Sequence, residues 1–128
     1  MPIPASWSGP LLSVMRFFVA LAFMQHGTSK LFHFPKELGS PDALTTPLGL
    51  LETIGGAMLA LGLLTRPLAF LLSGQMAVAF WWAHVGNSGS IYPLVNGGEG
   101  AMIYCFVFLY LAAAGGGDWS LDRMLARK

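Results

Sequence analysis

"LETIGGAMLALGLLTRPLAFLL", residues 51–72, decides the fold. It holds two apolar runs on either side of a short turn, LTRPL at 64–68. Neither run alternates polar and apolar residues as a β-strand would, and both extend toward the ~20 residues of a membrane-spanning helix. The shortness of the turn predicts that the two helices are antiparallel neighbours.

Further apolar runs lie on both sides of this stretch. Four spans are predicted, at residues 10–34, 47–64, 67–85 and 98–114. The tail DWSLDRMLARK, residues 118–128, has apolar residues at helical spacing and charges elsewhere, which is typical of a helix lying on a membrane surface. The predicted fold is therefore all-α: a membrane-embedded antiparallel four-helix bundle, one domain over residues 1–128, with a short C-terminal interfacial helix.

The composition supports lipid as the main solvent. The chain is 55% hydrophobic and 10% charged, whereas an ordinary soluble domain is roughly 25% charged. A net charge of +1 gives no reason to expect a nucleic-acid partner. Cys105 is the single cysteine, so neither an internal disulfide nor a CxxC motif can form. The N-terminal MPIPASWSGP lacks the basic start of a secretory signal, so the first span is expected to be retained.

Positive charges predict the orientation of the chain. Arg66, Arg123, Arg127 and Lys128 fall on the side of the N-terminus, and Lys30 and Lys36 fall on the other. The positive-inside rule then places both termini in the cytoplasm. The two long connections, the polar FPKELGSPDALTTP at 34–47 and the uncharged GNSGSIYPLVNGG at 86–98, are expected on the outer side.

Five ionisable residues fall at matched depth in the outer half of the predicted spans: His26, Lys30, Glu52, His84 and Glu99. An unpaired charge in hydrocarbon is costly, so Lys30 is expected to pair with Glu52 or Glu99. The two histidines could then donate to carboxylates, bind a metal or contact a polar head group. Alternatively, Lys30, His84 and Glu99 reach water at the interface. Trp81 and Trp82 form an interfacial belt or line a pocket for a flat ring.

Other residues are assigned structural roles. Gly27, Gly55 and Gly56 would allow close approach of helices. Arg16 lies about two turns from the cytoplasmic end, where its side chain would reach head groups or pack against a helix. Arg66 belongs to the cytoplasmic turn.

Three stretches together resemble the DoxX family: RFFVALAFMQHGTSKLF at 16–32, LETIGGAMLALGLLTRPLA at 51–69 and GEGAMIYCFVFLYLAAAGGGDWSLD at 98–122. The resemblance covers nearly the whole chain and implies a four-helix protein of the bacterial inner membrane. The family takes its name from the membrane subunit of a thiosulfate:quinone oxidoreductase. It has no agreed set of catalytic residues that could be assigned to positions in this chain. The positions that match its pattern are Arg16, His26, Gly27, Lys30, Glu52, Gly55, Gly56, Arg66, His84, Glu99, Ser120 and Asp122. This chain lacks a cysteine pair, which argues against direct dithiol chemistry.

Three functions remain open on these residues. The first is a quinone-binding membrane redox subunit, with His26 and Glu52 as candidate catalytic residues and Lys30, His84, Glu99, Trp81 and Trp82 as candidate ligand contacts. The sequence carries no haem, flavin or Fe–S motif, so a protein partner would supply the electrons. The second is a non-enzymatic scaffold for a protein complex. The third, ranked lowest, is a site for a metal or small solute, because no ligand-type spacing such as HxxxH is present.

Overall fold

The computed structural model describes residues 2–36 and 45–126. Within these ranges the chain is helical and contains no strand, which confirms the all-α prediction. The main helices are α1, Ser8–Phe32; α2, Thr45–Leu61; α3, Thr65–Val78; α4, Glu99–Ala114; and α5, Leu121–Ala126. α3 continues without a break through a π-helical segment, Ala79–Val85, and a last turn, Gly86–Ser88.

Helix boundaries follow local chemistry and differ from the predicted spans by a few residues. α1 ends at Phe32 rather than at 34, since Phe34 precedes Pro35 and the residue before a proline disfavours helix. α2 ends at Leu61 rather than at 64, where Gly62 adopts a φ of 73°. α3 begins at Thr65, which leaves Pro67 in the first turn where a proline is tolerated.

In the described part of the chain, two helices are long and apolar enough to cross a membrane by length and composition: Ala5–Phe32, which includes a short 3-10 turn before α1, and Thr65–Ser88. α2 and α4 are shorter apolar helices of 17 and 16 residues. At 1.5 Å per residue each extends about 25 Å, against a hydrocarbon core of ~30 Å.

The chain divides into two compact units. The first contains residues up to Thr65 together with those from Gly115 onward, and the second is Arg66–Ala114. In the first unit α1 packs along α2. Gly27 and Gly56 lie at this contact: a Cβ on Gly27 would meet the backbone nitrogen of Thr53 at 2.5 Å, and one on Gly56 would meet the Cβ of Met24 at 2.8 Å. The two backbones can approach this closely because Gly27 and Gly56 have no Cβ atom.

Candidate functional site

An ion pair joins α1 and α2 within the first unit. Lys30 Nζ donates to Glu52 Oε2 at 2.9 Å. The side chain of Glu52 is 2% exposed and that of Lys30 is 23% exposed. Of the two partners that the sequence allowed for Lys30, the structure places Glu52 beside it. A carboxylate so deeply covered depends on the cation for its stability, because burying an unpaired charge is costly.

His26 lies one turn before Lys30 on α1, but its side chain is exposed. The sequence predicts His26 at the depth of Lys30 and Glu52, and the structure gives it an exposed position on α1. The buried stripe of α1 contains Arg16, Ala20, Phe23 and Gly27, and His26 lies to one side of it. His26 can therefore be reached from outside the protein, whereas Glu52 cannot.

His84 and Glu99 belong to the second unit. His84 is part-buried at the end of the π-helical segment, and its Nδ1 lies 3.3 Å from the carbonyl oxygen of Asn96. Its Cβ is also close to Gly98, the residue before α4. Glu99, the first residue of α4, is exposed, as are Trp81 and Trp82. Among residues 2–36 and 45–126, no group of three His, Cys, Asp or Glu side chains is placed to hold a metal ion.

The structure also contains a buried polar network that sequence reasoning placed only in part. Arg16 is 3% exposed. Its guanidinium group donates to the carbonyl oxygen of Gly116, and its Nη2 donates to the carbonyls of Ala60 and Trp119, both at 3.1 Å. Arg16 therefore ties α1 to the end of α2 and to the glycine-rich segment before α5. Of the two expectations for Arg16, these contacts favour packing against neighbouring segments.

Two side chains complete this network. Ser13 Oγ donates to the Gly116 carbonyl at 3.0 Å and accepts the backbone N–H of Trp119 at 2.9 Å. The carboxylate of Asp122 accepts the backbone N–H groups of Leu64 at 2.7 Å and Thr65 at 2.8 Å. Neither Ser13 nor the glycines at 116 and 117 had been assigned a role. The run of three glycines at 115–117 is the sequence feature that could have indicated this network. Two of them, Gly115 and Gly117, adopt positive φ.

Asp122 is held in its charged form. Burial raises the pKa of its carboxyl group, but hydrogen bonds from Thr65 and Leu64 and the positive charge of Arg16 outweigh burial and leave the pKa below its usual value. The carboxylate thus balances a buried guanidinium whose other partners are neutral carbonyls.

Arg66, the other predicted structural arginine, has a different setting. It lies exposed in the second unit, where its Nε donates to the carbonyl oxygen of Ala112 at 3.0 Å. Gly55 is buried on α2, beside Gly56.

Residues 2–36 and 45–126 contain helices without strands, two of them candidates for crossing a membrane, and a charged pair lies between two apolar helices. These are features of a helical membrane protein. The model of the DoxX family matches residues 11–85, more than half of the chain. An uncharacterized protein of Haemophilus influenzae is 39% identical over 123 residues, which cover 91% of this chain and 92% of that protein. The chain belongs to the DoxX family of membrane proteins. No solved structure matches it.

Proposed function

We propose that this DoxX protein is a membrane subunit of a quinone-linked oxidoreductase system in the bacterial inner membrane. One observation carries the proposal: Glu52, 2% exposed, is paired at 2.9 Å with Lys30 between two apolar helices. Ionisable groups inside membrane helices are rare because they are costly, and they commonly serve proton or ligand pathways.

The proposed topology is a four-helix bundle with four spans: α1, α2, the helix Thr65–Ser88 and α4. α2 and α4 are short, which tilt or local thinning of the bilayer accommodates. Positive charge at Arg66, Arg123, Arg127 and Lys128 favours the cytoplasm for that side and for both termini. The Lys30–Glu52 pair then lies in the outer half of the membrane.

In this proposal residues of the first unit contact the head group of a quinone. Such a group needs a hydrogen-bond donor for a carbonyl oxygen and a group that takes up or delivers the accompanying proton. His26 is exposed on α1 and can donate a hydrogen bond from the lipid side. Glu52 exchanges the proton by way of Lys30, the part-exposed member of the pair, and Lys30 stabilises the carboxylate when the proton has left. The quinone, when bound, accepts electrons that a partner protein supplies.

The second unit offers a further set of contacts. Trp81 and Trp82 are exposed and present flat apolar surfaces. His84 and Glu99 flank the connection between the helix Thr65–Ser88 and α4. In this proposal these four residues are candidate ligand contacts of the second unit.

The test is purification in mild detergent, followed by mass spectrometry of bound lipids and proteins. We expect a quinone and a redox protein to accompany the chain. His26→Ala should lower the amount of bound quinone. Glu52→Gln should retain the quinone but slow quinol formation in membranes supplied with the partner's electron donor. Asp118→Asn is the matched control, because it removes only a surface pair with Arg123. The proposal would be overturned if the purified wild-type protein contained no quinone and also bound none after reconstitution into vesicles loaded with quinone.

A scaffold role is the second candidate, and one observation favours it. The segment leading into and through α5 exposes Trp119, Met124 and Leu125, while Arg16 and Ser13 hold its start in place. A fixed apolar surface of this kind suits membrane anchoring or docking of a partner. Unchanged function in stable Glu52→Gln and His26→Ala variants, with a partner that lacks a redox centre, would favour this role.

A further inference from the structure

Residues 89–98, the connection that leads into α4, expose apolar side chains to an unusual degree. Leu94 is 84% exposed, more than any other large apolar residue in the described part of the chain. Ile91, Tyr92 and Val95 are also exposed. No Lys, Arg, Asp or Glu occurs from Pro67 to Gly98. A loop in water would not be expected to hold such a patch, so its composition points to lipid.

Most backbone N–H groups of the segment find their acceptors close by in the chain. These N–H groups donate to nearby acceptors in the segment or in the preceding helix, at Gly89, Ser90, Tyr92, Val95, Asn96, Gly97 and Gly98. Internal pairing of this extent is unnecessary in water, where solvent pairs with exposed backbone groups. It is what a backbone requires when it enters an apolar phase.

Asn96 gives the segment a fixed shape. Its side-chain amide donates to the carbonyl of Ser90 at 3.0 Å, and its Oδ1 accepts the N–H of Gly98 at 2.7 Å. Its own carbonyl lies 3.3 Å from Nδ1 of His84. Both ends of the loop are therefore tied to the helix Thr65–Ser88, and the one-turn helix Pro93–Asn96 projects Leu94 and Val95 outward.

We infer that residues 89–98 dip into the lipid interface as a fixed apolar segment, with Leu94 and Val95 inserted among the lipid chains near the head groups. The exposed Trp81 and Trp82 precede it on the same continuous helix, and amphipathic rings favour this level of a bilayer. The inference rests on the proposed crossing of the membrane by the helix Thr65–Ser88. It assigns His84 a role in holding this segment, in addition to any ligand contact.

The experiment places a fluorescent probe at Leu94. Cys105 is first replaced in Cys105→Ala, which leaves a cysteine-free chain. Leu94→Cys is then labelled with an environment-sensitive fluorophore and reconstituted into phosphatidylcholine–phosphatidylglycerol vesicles. We expect quenching by lipids that carry a nitroxide near the head group to exceed severalfold the quenching by lipids that carry it near the chain end. Aqueous iodide should quench the probe severalfold less than it quenches a probe at Lys36→Cys. Val95→Cys should behave in the same way and serves if Leu94→Cys folds poorly.

A probe at Phe70→Cys separates this inference from the proposed topology. Phe70 is exposed on α3, within the proposed membrane-crossing helix, and its probe should be quenched by nitroxide lipids and shielded from iodide. A Leu94 probe open to iodide beside a lipid-embedded Phe70 probe would overturn the inference alone. A Leu94 probe shielded from both iodide and nitroxide lipids would overturn it in favour of a protein covering the patch. A Phe70 probe open to iodide would overturn the membrane crossing itself.

Discussion

Lys30 and Glu52 lie 2.9 Å apart but differ in environment: the carboxylate is 2% exposed and the lysine side chain 23% exposed. Removal of one partner should therefore cost more than removal of the other. In Lys30→Met a buried carboxylate loses its cation, whereas in Glu52→Gln the lysine can still turn toward the surface. We expect Lys30→Met to lower the free energy of unfolding by about 3 kcal/mol and Glu52→Gln by about 1 kcal/mol.

Thermal unfolding in detergent, followed by circular dichroism, measures this asymmetry. The double variant Lys30→Met/Glu52→Gln should be more stable than Lys30→Met alone, since it removes the uncompensated charge. Equal losses in the two single variants would contradict the assignment of Glu52 as the covered end of the pair.

The contact between α1 and α2 should not tolerate a methyl group at Gly27. A Cβ there would lie 2.5 Å from the backbone nitrogen of Thr53 and 2.8 Å from the carbonyl oxygen of Gly49, and backbone cannot move aside as a flexible side chain can. We expect Gly27→Ala to destabilise the protein by about 1–3 kcal/mol. Gly74→Ala is the matched control, because a Cβ there meets nothing within 4 Å. It should be neutral or stabilise α3 by up to ~1 kcal/mol. The measurement is the midpoint of thermal unfolding of each variant and of the wild type. Equal midpoints for Gly27→Ala and Gly74→Ala would contradict the close contact at Gly27.

Arg16 should be irreplaceable by lysine. Its planar guanidinium group donates hydrogen bonds to the carbonyls of Gly116, Ala60 and Trp119 at the same time. A single ammonium group cannot reproduce that geometry. We expect Arg16→Lys to destabilise the protein by about 2–3 kcal/mol and to increase proteolysis of the segment after Gly115. Arg66→Lys, at an exposed residue with one hydrogen bond to Ala112, should be nearly neutral. If both arginines tolerate lysine equally, the network around Arg16 does not hold the fold.

Asp122 should stabilise the protein only as a carboxylate. Because its pKa is lowered on folding, its contribution is complete above the ordinary carboxyl value of 3.8 and is lost as the pH falls below that value. Asp122→Asn should therefore unfold at lower temperature than the wild type at pH 7, and the difference should shrink near pH 3. Asp118→Asn removes a surface ion pair instead and should change stability little at either pH. A difference for Asp122→Asn that does not depend on pH would show that the charge is unimportant.

The apolar runs and the short turn predicted the helices and their approximate ends, because helix formation and termination follow local sequence. Depth matching likewise indicated Glu52 or Glu99 as the partner of Lys30, and the structure pairs it with Glu52. The Arg16 network could not be predicted in full, since most of its acceptors are backbone carbonyls, which every residue possesses. The orientation of His26 depends on which stripe of α1 packs against its neighbour. The π-helical segment Ala79–Val85 changes the helical phase in a way that no residue pattern reveals.

The hydrogen bond from Arg16 to the carbonyl of Gly116 spans 100 residues of chain. During synthesis Arg16 is made long before Gly116 and Trp119, whose carbonyls accept its hydrogen bonds. Until then the guanidinium group on α1 lacks these two acceptors. The contacts of Arg16 can therefore be completed only after the last segment of its own unit has been made. A chain interrupted between Ala60 and Gly116 would retain Arg16 with one of its three carbonyl acceptors.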